Sequence, residues 1–448
     1  MTNITANEIL ELLDEKKIKE LKEIVSELNV VDAAELLSEL PQSKAIYVFR
    51  VLPKDFAADI FAELDSDKQQ YILTGITDSE ITQLIEQQMI DDAVDAIEEM
   101  PASMVQRILM NVSPDTRKTI NQFLAYPDNS VGSVMTAEVI GIRKNMKVSE
   151  AIASIRKNAQ KAEQVYYCYV MDKSRVLEGV ISLRDLLISD DDTYVEDIMD
   201  KNVISVKTTD DQEEAAMLVK KYDLLSIPVV DSENRFVGIV TVDDIIDVIE
   251  QEDTEDISKM AAVVPSDDEY LKTNVFILAK NRIIWLIFLM LSSILASKVL
   301  SKQEEVFKVM PILVAFIPML MDAGGNAGSQ TSSIIIRSMA VGEIGLRDYL
   351  KVMFKEIRVA FIASFALAAC NMVRMLIEYP ADISLGISVS LSLFLTVIAA
   401  KMLGCSLPFL AKLLHVDPAL MASPVITTIM DAFSLVCYFQ VCRIIIGL

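Results

Sequence analysis

Apolar positions recur at three-and-four spacing through the first 130 residues: Ile9, Leu12 and Leu13, then Leu21, Ile24, Val25 and Leu28. That spacing lays them along one stripe of a 3.6-residue helix, so the segment reads as successive amphipathic helices. Pro41, Pro53, Pro101 and Pro114 cut the pattern into short pieces. A weak repeat runs through it as Ala34-Glu-Leu-Leu-Ser-Glu-Leu-Pro41, Ala58-Asp-Ile-Phe-Ala-Glu-Leu-Asp65 and Val94-Asp-Ala-Ile-Glu-Glu-Met-Pro101. An α-helical hairpin array over 1–130 follows, a fold that supplies surface more than chemistry. Over 131–250 the texture becomes α/β, with Val-rich runs and short helices in the order strand–turn–strand–helix, twice. An acidic helical connector over 251–275 then gives way to an apolar region, 276–448. Five apolar segments lie there, at 283–300, 306–341, 359–376, 383–403 and 419–446. Most approach or exceed the roughly 20 residues needed to cross a bilayer core. The chain therefore reads as multidomain, ending in an all-α five-helix transmembrane domain.

Charge divides at the same place. Residues 1–271 hold 55 acids against 26 bases, and residues 272–448 hold 10 against 15. A strongly acidic half repels nucleic acid and concentrates cations, so nucleic-acid binding is excluded. The five cysteines form no Cys-x-x-Cys pair, and His415 is the sole histidine. A His-built metal site and His-based catalysis are thereby set aside, and the cysteines read as small hydrophobes in a reducing compartment. Residues 1–13 lack the basic start and apolar core of a signal peptide. The acidic half is expected in the cytoplasm, with the rest in the lipid bilayer of the cell membrane. With that orientation ten Lys/Arg fall inside and five outside, and an odd number of spans puts the C-terminus outside.

Two features of the apolar region carry chemistry. The second segment contains Pro311, Pro318 and the run Asp322-Ala-Gly-Gly-Asn-Ala-Gly-Ser-Gln330. Three glycines with an Asn and a Gln predict an unwound turn whose carbonyls and Asn326 amide face a water-filled path. The last segment holds one carboxylate, Asp431, and no other charge before Arg443. A carboxylate near the bilayer centre costs roughly 2.5–3.5 kcal/mol on insertion scales and tends to mark an ion pathway. Asp431, Asn326, Thr427 and Thr428 offer only hard oxygen donors, which suit a hydrated magnesium ion. One aspartate per chain is a thin site and argues for a symmetric dimer. Two carboxylates ~5 Å apart at an effective dielectric of 20 repel by about 3 kcal/mol, which a divalent cation between them removes. No P-loop, dinucleotide fingerprint or nucleophile–base constellation is present, so the chain is not read as an enzyme. Lys and His proton relays are absent from this reading of the spans, against the alternative of a coupled secondary transporter of another divalent ion such as cobalt.

The repeat in 131–250 is specific. Ser133-Val-Met-Thr136 matches Asp197-Ile-Met-Asp200, and Tyr169-Val-Met-Asp172 matches Pro228-Val-Val-Asp231. Gly179-Val-Ile-Ser-Leu-Arg-Asp185 matches Gly238-Ile-Val-Thr-Val-Asp-Asp244. Together these resemble a tandem pair of CBS domains. The full order, with the Pro318–Gln330 run and Asp417-Pro-Ala-Leu-Met-Ala-Ser-Pro-Val-Ile-Thr-Thr-Ile-Met-Asp431, resembles the MgtE-type magnesium channels. That resemblance implies a homodimer with a pore lined by the second and fifth spans, and Asp431 as selectivity carboxylate. It also implies closure by cytosolic magnesium through the connector, or plug, helix. Carried over residue by residue, the sensor acids are Asp91 and Asp95 in the N-terminal domain, then Asp211, Glu213 and Asp223 in the second CBS half. Asp244 and Asp247 follow at its exit, and Glu252, Glu255 and Asp256 on the plug helix. ATP as a regulatory ligand is implied at Tyr167, Arg184 and Asp185, while Leu224 stands where an aromatic would stack on adenine.

Overall fold

The computed structural model describes residues 4–265, 270–271, 273–421 and 423–447. They form two compact units, Met1–Ile249 and Glu250–Leu448.

The first unit opens with ten short helices, from Ala6–Asp14 to Pro114–Phe123. Pro41, Pro53 and Pro101 stand at N-caps and Pro114 in a first turn. A first turn has no partner for its N–H groups, so proline begins these helices at little cost while ending the ones before. The apolar stripes close on a core in which Ile9, Leu21, Ile60, Phe61, Leu73 and Ile81 are wholly buried.

Two three-stranded sheets follow. In the first, β1 (Gly141–Ile142) pairs parallel with β2 (Tyr167–Met171), and β2 antiparallel with β3 (Leu177–Ser182). The second repeats this with β4 (Val206–Lys207), β5 (Ser226–Val230) and β6 (Phe236–Thr241). Even the register irregularity recurs, at Val170/Met171 and at Val229/Val230. The two halves interlock through Tyr169, whose ring stacks on Phe236 at 4.9 Å and whose hydroxyl lies 2.8 Å from Ser226 Oγ. The sequence repeat is thus a structural one.

The connector helix starts earlier than its composition indicates. It leaves β6 directly and runs as one helix over Val242–Met260, placing every acid from Asp244 to Asp256 on a single rod. Of the predicted connector 251–275, positions 266–269 and 272 lie outside the described residues.

In the second unit five stretches are long and apolar enough to cross a membrane: Val275–Ser301, Pro311–Ala340, Leu346–Glu378, Ile383–Leu413 and Pro418–Ile446. The second is interrupted at Pro311, where the Glu304–Val309 helix ends and a 3-10 turn runs over Pro311–Phe316, but the predicted unwinding over 322–330 does not occur. Ile317–Ala340 is one unbroken helix through Gly324, Gly325, Asn326 and Gly328, and Pro318 sits in its first turn. These glycines are contact points instead. A Cβ on Gly404 of the fourth span would lie 2.3 Å from the Gly328 carbonyl oxygen, and one on Gly324 would meet Thr396 and Ser434 at 2.9 Å. Where lipid is as apolar as the side chains, helices associate through such close backbone approach, and this outweighs glycine's poor helix propensity.

Candidate ion path and acidic cluster

The second span carries a polar face. Asp322, Asn326, Gln330 and Arg337 are exposed and Ser333 is half-buried, at spacings of four, four, three and four residues along Ile317–Ala340. The opposite faces bury Gly324, Ala327, Gly328, Ile335 and Ile336. Because the helix is regular, its carbonyls are spent on its own ladder, and only side chains can offer oxygens along it. Such a face on a membrane helix requires water or another protein surface against it.

Asp431 lies eight residues into the fifth-span helix, Ser423–Ile446, and is half-buried. Among the described residues no ion pair or side-chain hydrogen bond engages it. Thr427 and Thr428 each donate the hydroxyl hydrogen to the Pro424 carbonyl at 3.0 Å, which leaves the hydroxyl oxygens as acceptors. Second and fifth spans pack antiparallel in a fixed register. Ser329 Oγ donates to Ser423 Oγ at 2.9 Å, and Ser332 Oγ to the Met421 carbonyl at 3.2 Å. A Cβ on Gly325 would touch Thr427 at 2.8 Å. Asn326 is thereby beside the fifth span, on the exposed side.

Among the described residues the spans hold one buried lysine, to which the sequence reading gives no role. Lys401 of the fourth span is 8% exposed; its ammonium donates to Thr331 Oγ1 at 3.2 Å, and that hydroxyl donates to Glu356 Oε2 at 3.3 Å. This three-residue chain ties the second, third and fourth spans together. Lys401 was legible as a base inside an apolar segment, but its partners come from other helices.

Within the second unit, the end of the connector helix docks on the spans. Arg337 donates to Asp253 at 2.7 Å, and Lys259 pairs with Asp417 and Glu255, each at 2.7 Å. Burial opposes the charge on Lys259, but hydrogen bonds to Asp417 and Glu255 prevail and raise its pKa. Burial, followed by the charge of Asp417, lifts the Asp256 carboxyl to about 6. Of the connector-helix acids in this unit, Glu255 is thus held by Lys259, and Asp256 faces Asp417 and, more weakly, Glu252 and Glu255.

In the first unit the Ile90–Glu98 helix carries Asp91, Asp92 and Asp95 toward Asp244, Glu138 and Glu163. Burial, then the charges of Asp92, Asp244, Glu163 and Glu138, push the Asp91 carboxyl up to about 8. Its Oδ1 is buried without a hydrogen-bond partner. Glu163 rises to about 7 by burial and then by Asp92, Asp244 and Asp243. Asp92 and Asp95 keep exposed surface and shift in the same direction for the same reasons. Asp244 also rises by burial, although it accepts from the Thr241 N–H and hydroxyl. Asp92, Glu138 and Glu163 were missed by sequence reasoning, since their approach depends on the fold. Asp247 lies one turn beyond Asp243 on the exposed side of the connector helix.

The remaining acids are dispersed. Asp211 caps the Gln212–Tyr222 helix by accepting from the Glu213 N–H at 2.9 Å, whereas Asp223 ends that helix in a left-handed conformation. An eleven-residue helix separates them by about 16 Å, so they share no site. Among the described residues no three His, Cys, Asp or Glu side chains stand close enough to hold a metal. In one chain, then, the cluster is an unneutralised group of facing carboxylates; the orphaned Asp91 oxygen fits a cation but does not complete a coordination shell. At the implied nucleotide position, Ser182 donates to Asp185 at 2.6 Å while capping Leu183–Ile188, Arg184 is exposed and Tyr167 is half-buried. Thr241 and Asp244 repeat that arrangement in the second half.

Comparison with known proteins agrees with this division. Residues 317–441 match the family model described as a divalent cation transporter, 28–129 the MgtE intracellular N domain, and 131–190 and 195–251 the CBS domain. The magnesium transporter MgtE of Thermus thermophilus is 37% identical over 79% of this chain and 78% of its own length. That of Bacillus subtilis is 33% identical over 85% of this chain and 83% of its own. Among solved structures, the cytosolic domain of the Mg2+ channel MgtE in complex with ATP aligns with TM-score 0.52 at 36% identity, over 54% of this chain and 99% of that one. The soluble part of a magnesium transporter aligns with TM-score 0.53 at 34% identity, over 55% and 97%.

Proposed function

The chain belongs to the MgtE family of magnesium transporters, and from that membership we propose that it is a Mg2+-selective channel closed by Mg2+ on its cytosolic side. The observation that carries the reading is the exposed polar face of the second span beside the isolated Asp431 of the fifth. Neither is stable against lipid, and both are satisfied if two copies bring these faces together around water. A homodimer in a cell membrane follows, with the acidic domains in the cytoplasm and the C-terminus outside. Asp431 of each copy would hold a hydrated Mg2+ through its water shell, with Asn326 as an oxygen donor nearby.

The acids of the first unit and the connector helix supply the sensor. Burial first, and then neighbouring acids, raise the pKa values of Asp91, Asp92, Asp95, Asp244 and Glu163, so without Mg2+ their charged forms are disfavoured where they face one another. A divalent cation bridging facing carboxylates removes that repulsion and favours the packed state, in which the connector helix is held at Arg337 and Asp417. Asp211, Glu213, Asp223, Asp247, Glu252, Glu255 and Asp256 would add to the same bias from other surfaces. ATP would bind between the CBS halves at Tyr167, Arg184 and Asp185 and act as a regulator.

Electrical recording from reconstituted protein, with Mg2+ varied separately on each side, tests the proposal. Currents carried by external Mg2+ and suppressed by internal Mg2+ are expected. A flux that needs a counter-ion gradient would identify a coupled transporter instead.

A further inference from the structure

We propose that Asp322 is a second carboxylate of the ion path, level with Asp431, and that the pair on one chain sets selectivity for divalent ions. This rests on the reading of the second and fifth spans as the path. Asp322 begins the polar face, one turn before Asn326, and is exposed. Among the described residues no ion pair or side-chain hydrogen bond engages it. The bases nearby are occupied elsewhere. Arg337 is fifteen residues along the same helix, about 22 Å away, and pairs with Asp253. Arg374 of the third span reaches Met319 of the second span, and its ion pair is with Glu378. A membrane carboxylate with neither base nor donor needs water or a cation.

The packing register fixes its depth. Ser329 meets Ser423, Ser332 meets the Met421 carbonyl, and a Cβ on Gly324 would meet Ser434 and Met430. Carrying that antiparallel register two turns along brings Asp322 opposite Met430 and Asp431, within about one helical turn. Two carboxylates at one level on adjacent helices match the charge of one Mg2+ within a single chain. A monovalent ion leaves such a pair with net negative charge, and a hydrated ion held by oxygens through its waters is what Mg2+ accepts.

The test uses full-length protein in liposomes, with Mg2+ uptake read by an entrapped dye and K+ leak read as a potential. D322N is expected to raise the half-saturating Mg2+ concentration on the order of tenfold and to admit K+. D322E should recover most of the selectivity, which separates lost charge from misfolding, and D431N should abolish uptake. If D322N saturates like wild type and excludes K+ while D431N is silent, Asp322 has no part in selectivity and the inference fails alone. If D431N also takes up Mg2+ normally, the path itself lies elsewhere and both readings fall.

Discussion

At the residue scale, the membrane unit depends on a few polar groups whose partners lie on other helices. Lys401, Thr331 and Glu356 form a chain in which each end neutralises the other through a hydroxyl. Replacing Lys401 by methionine leaves Glu356 without its counter-charge beside a buried Thr331, at a cost of roughly 1–3 kcal/mol. K401M is expected to lower the unfolding temperature of the detergent-solubilised protein, and adding E356Q should recover part of the loss. If the double variant is less stable than K401M, the two charges are not linked through Thr331. The lysine was visible in the sequence, yet its role was not, because nothing local to position 401 indicates which helices will face it. Asp322 is the converse case. Its spacing from Asn326 and Gln330 is helical and could have been read directly, had the glycines not suggested that the helix ends there.

At the element scale, the second span shows why. Gly324, Gly325 and Gly328 signal a break by their propensity in water, but in a membrane they let the fourth and fifth spans come close. Gly328 and Gly404 meet backbone to backbone, so neither neighbour can yield by rotating a side chain. G404A is therefore expected to force the second and fourth spans apart and to reduce the yield of folded protein, by a penalty of about 1–3 kcal/mol or more. G345A, where an added Cβ would touch nothing within 4 Å, should elute and unfold like wild type. Equal stability of G404A and wild type would mean that these helices do not pack as described. The helical hairpins, the paired strands of the CBS repeat and the five spans were all legible, since each rests on a local period or a repeated motif. The start of the connector helix at Val242 was not, because the helix grows straight out of β6 without a composition change.

The Ile90–Glu98 helix belongs to this scale too, with a pH dependence of definite sign. Asp91 and Glu163 have folded-state pKa values of about 8 and about 7, raised by burial and by neighbouring acids. Such groups bind protons more tightly folded than unfolded. Their region loses stability as pH climbs from about 4, the unfolded carboxylate range, and the loss levels off above about 8. In Mg2+-free buffer, hydrogen-exchange protection of this helix, corrected for intrinsic rate, should fall between pH 5 and 8. D91N should flatten the profile, and Mg2+ should restore protection most at the higher pH, where the sites are deprotonated. Protection that rises with pH in the absence of Mg2+ would show that these carboxylates are paired with bases instead.

For the whole molecule, the proposed function makes the acidic first 271 residues a sensor for a path in the apolar remainder. Several weak cation sites acting on one two-state equilibrium add their biases, so no single site needs high affinity. Neutralising Asp91, Asp95, Asp247, Glu252 and Glu255 together should leave a channel that conducts at millimolar-scale internal Mg2+, whereas single changes should only shift the closing concentration. Retained closure in the combined variant would place the sensor elsewhere. Underneath the regulation lies one claim, that Mg2+ crosses beside the lone carboxylate of the fifth span. Mg2+ uptake into liposomes carrying D431N, purified in the same oligomeric state as wild type, tests it most directly. Uptake lost with folding and assembly intact is the predicted result; uptake near the wild-type rate would contradict it.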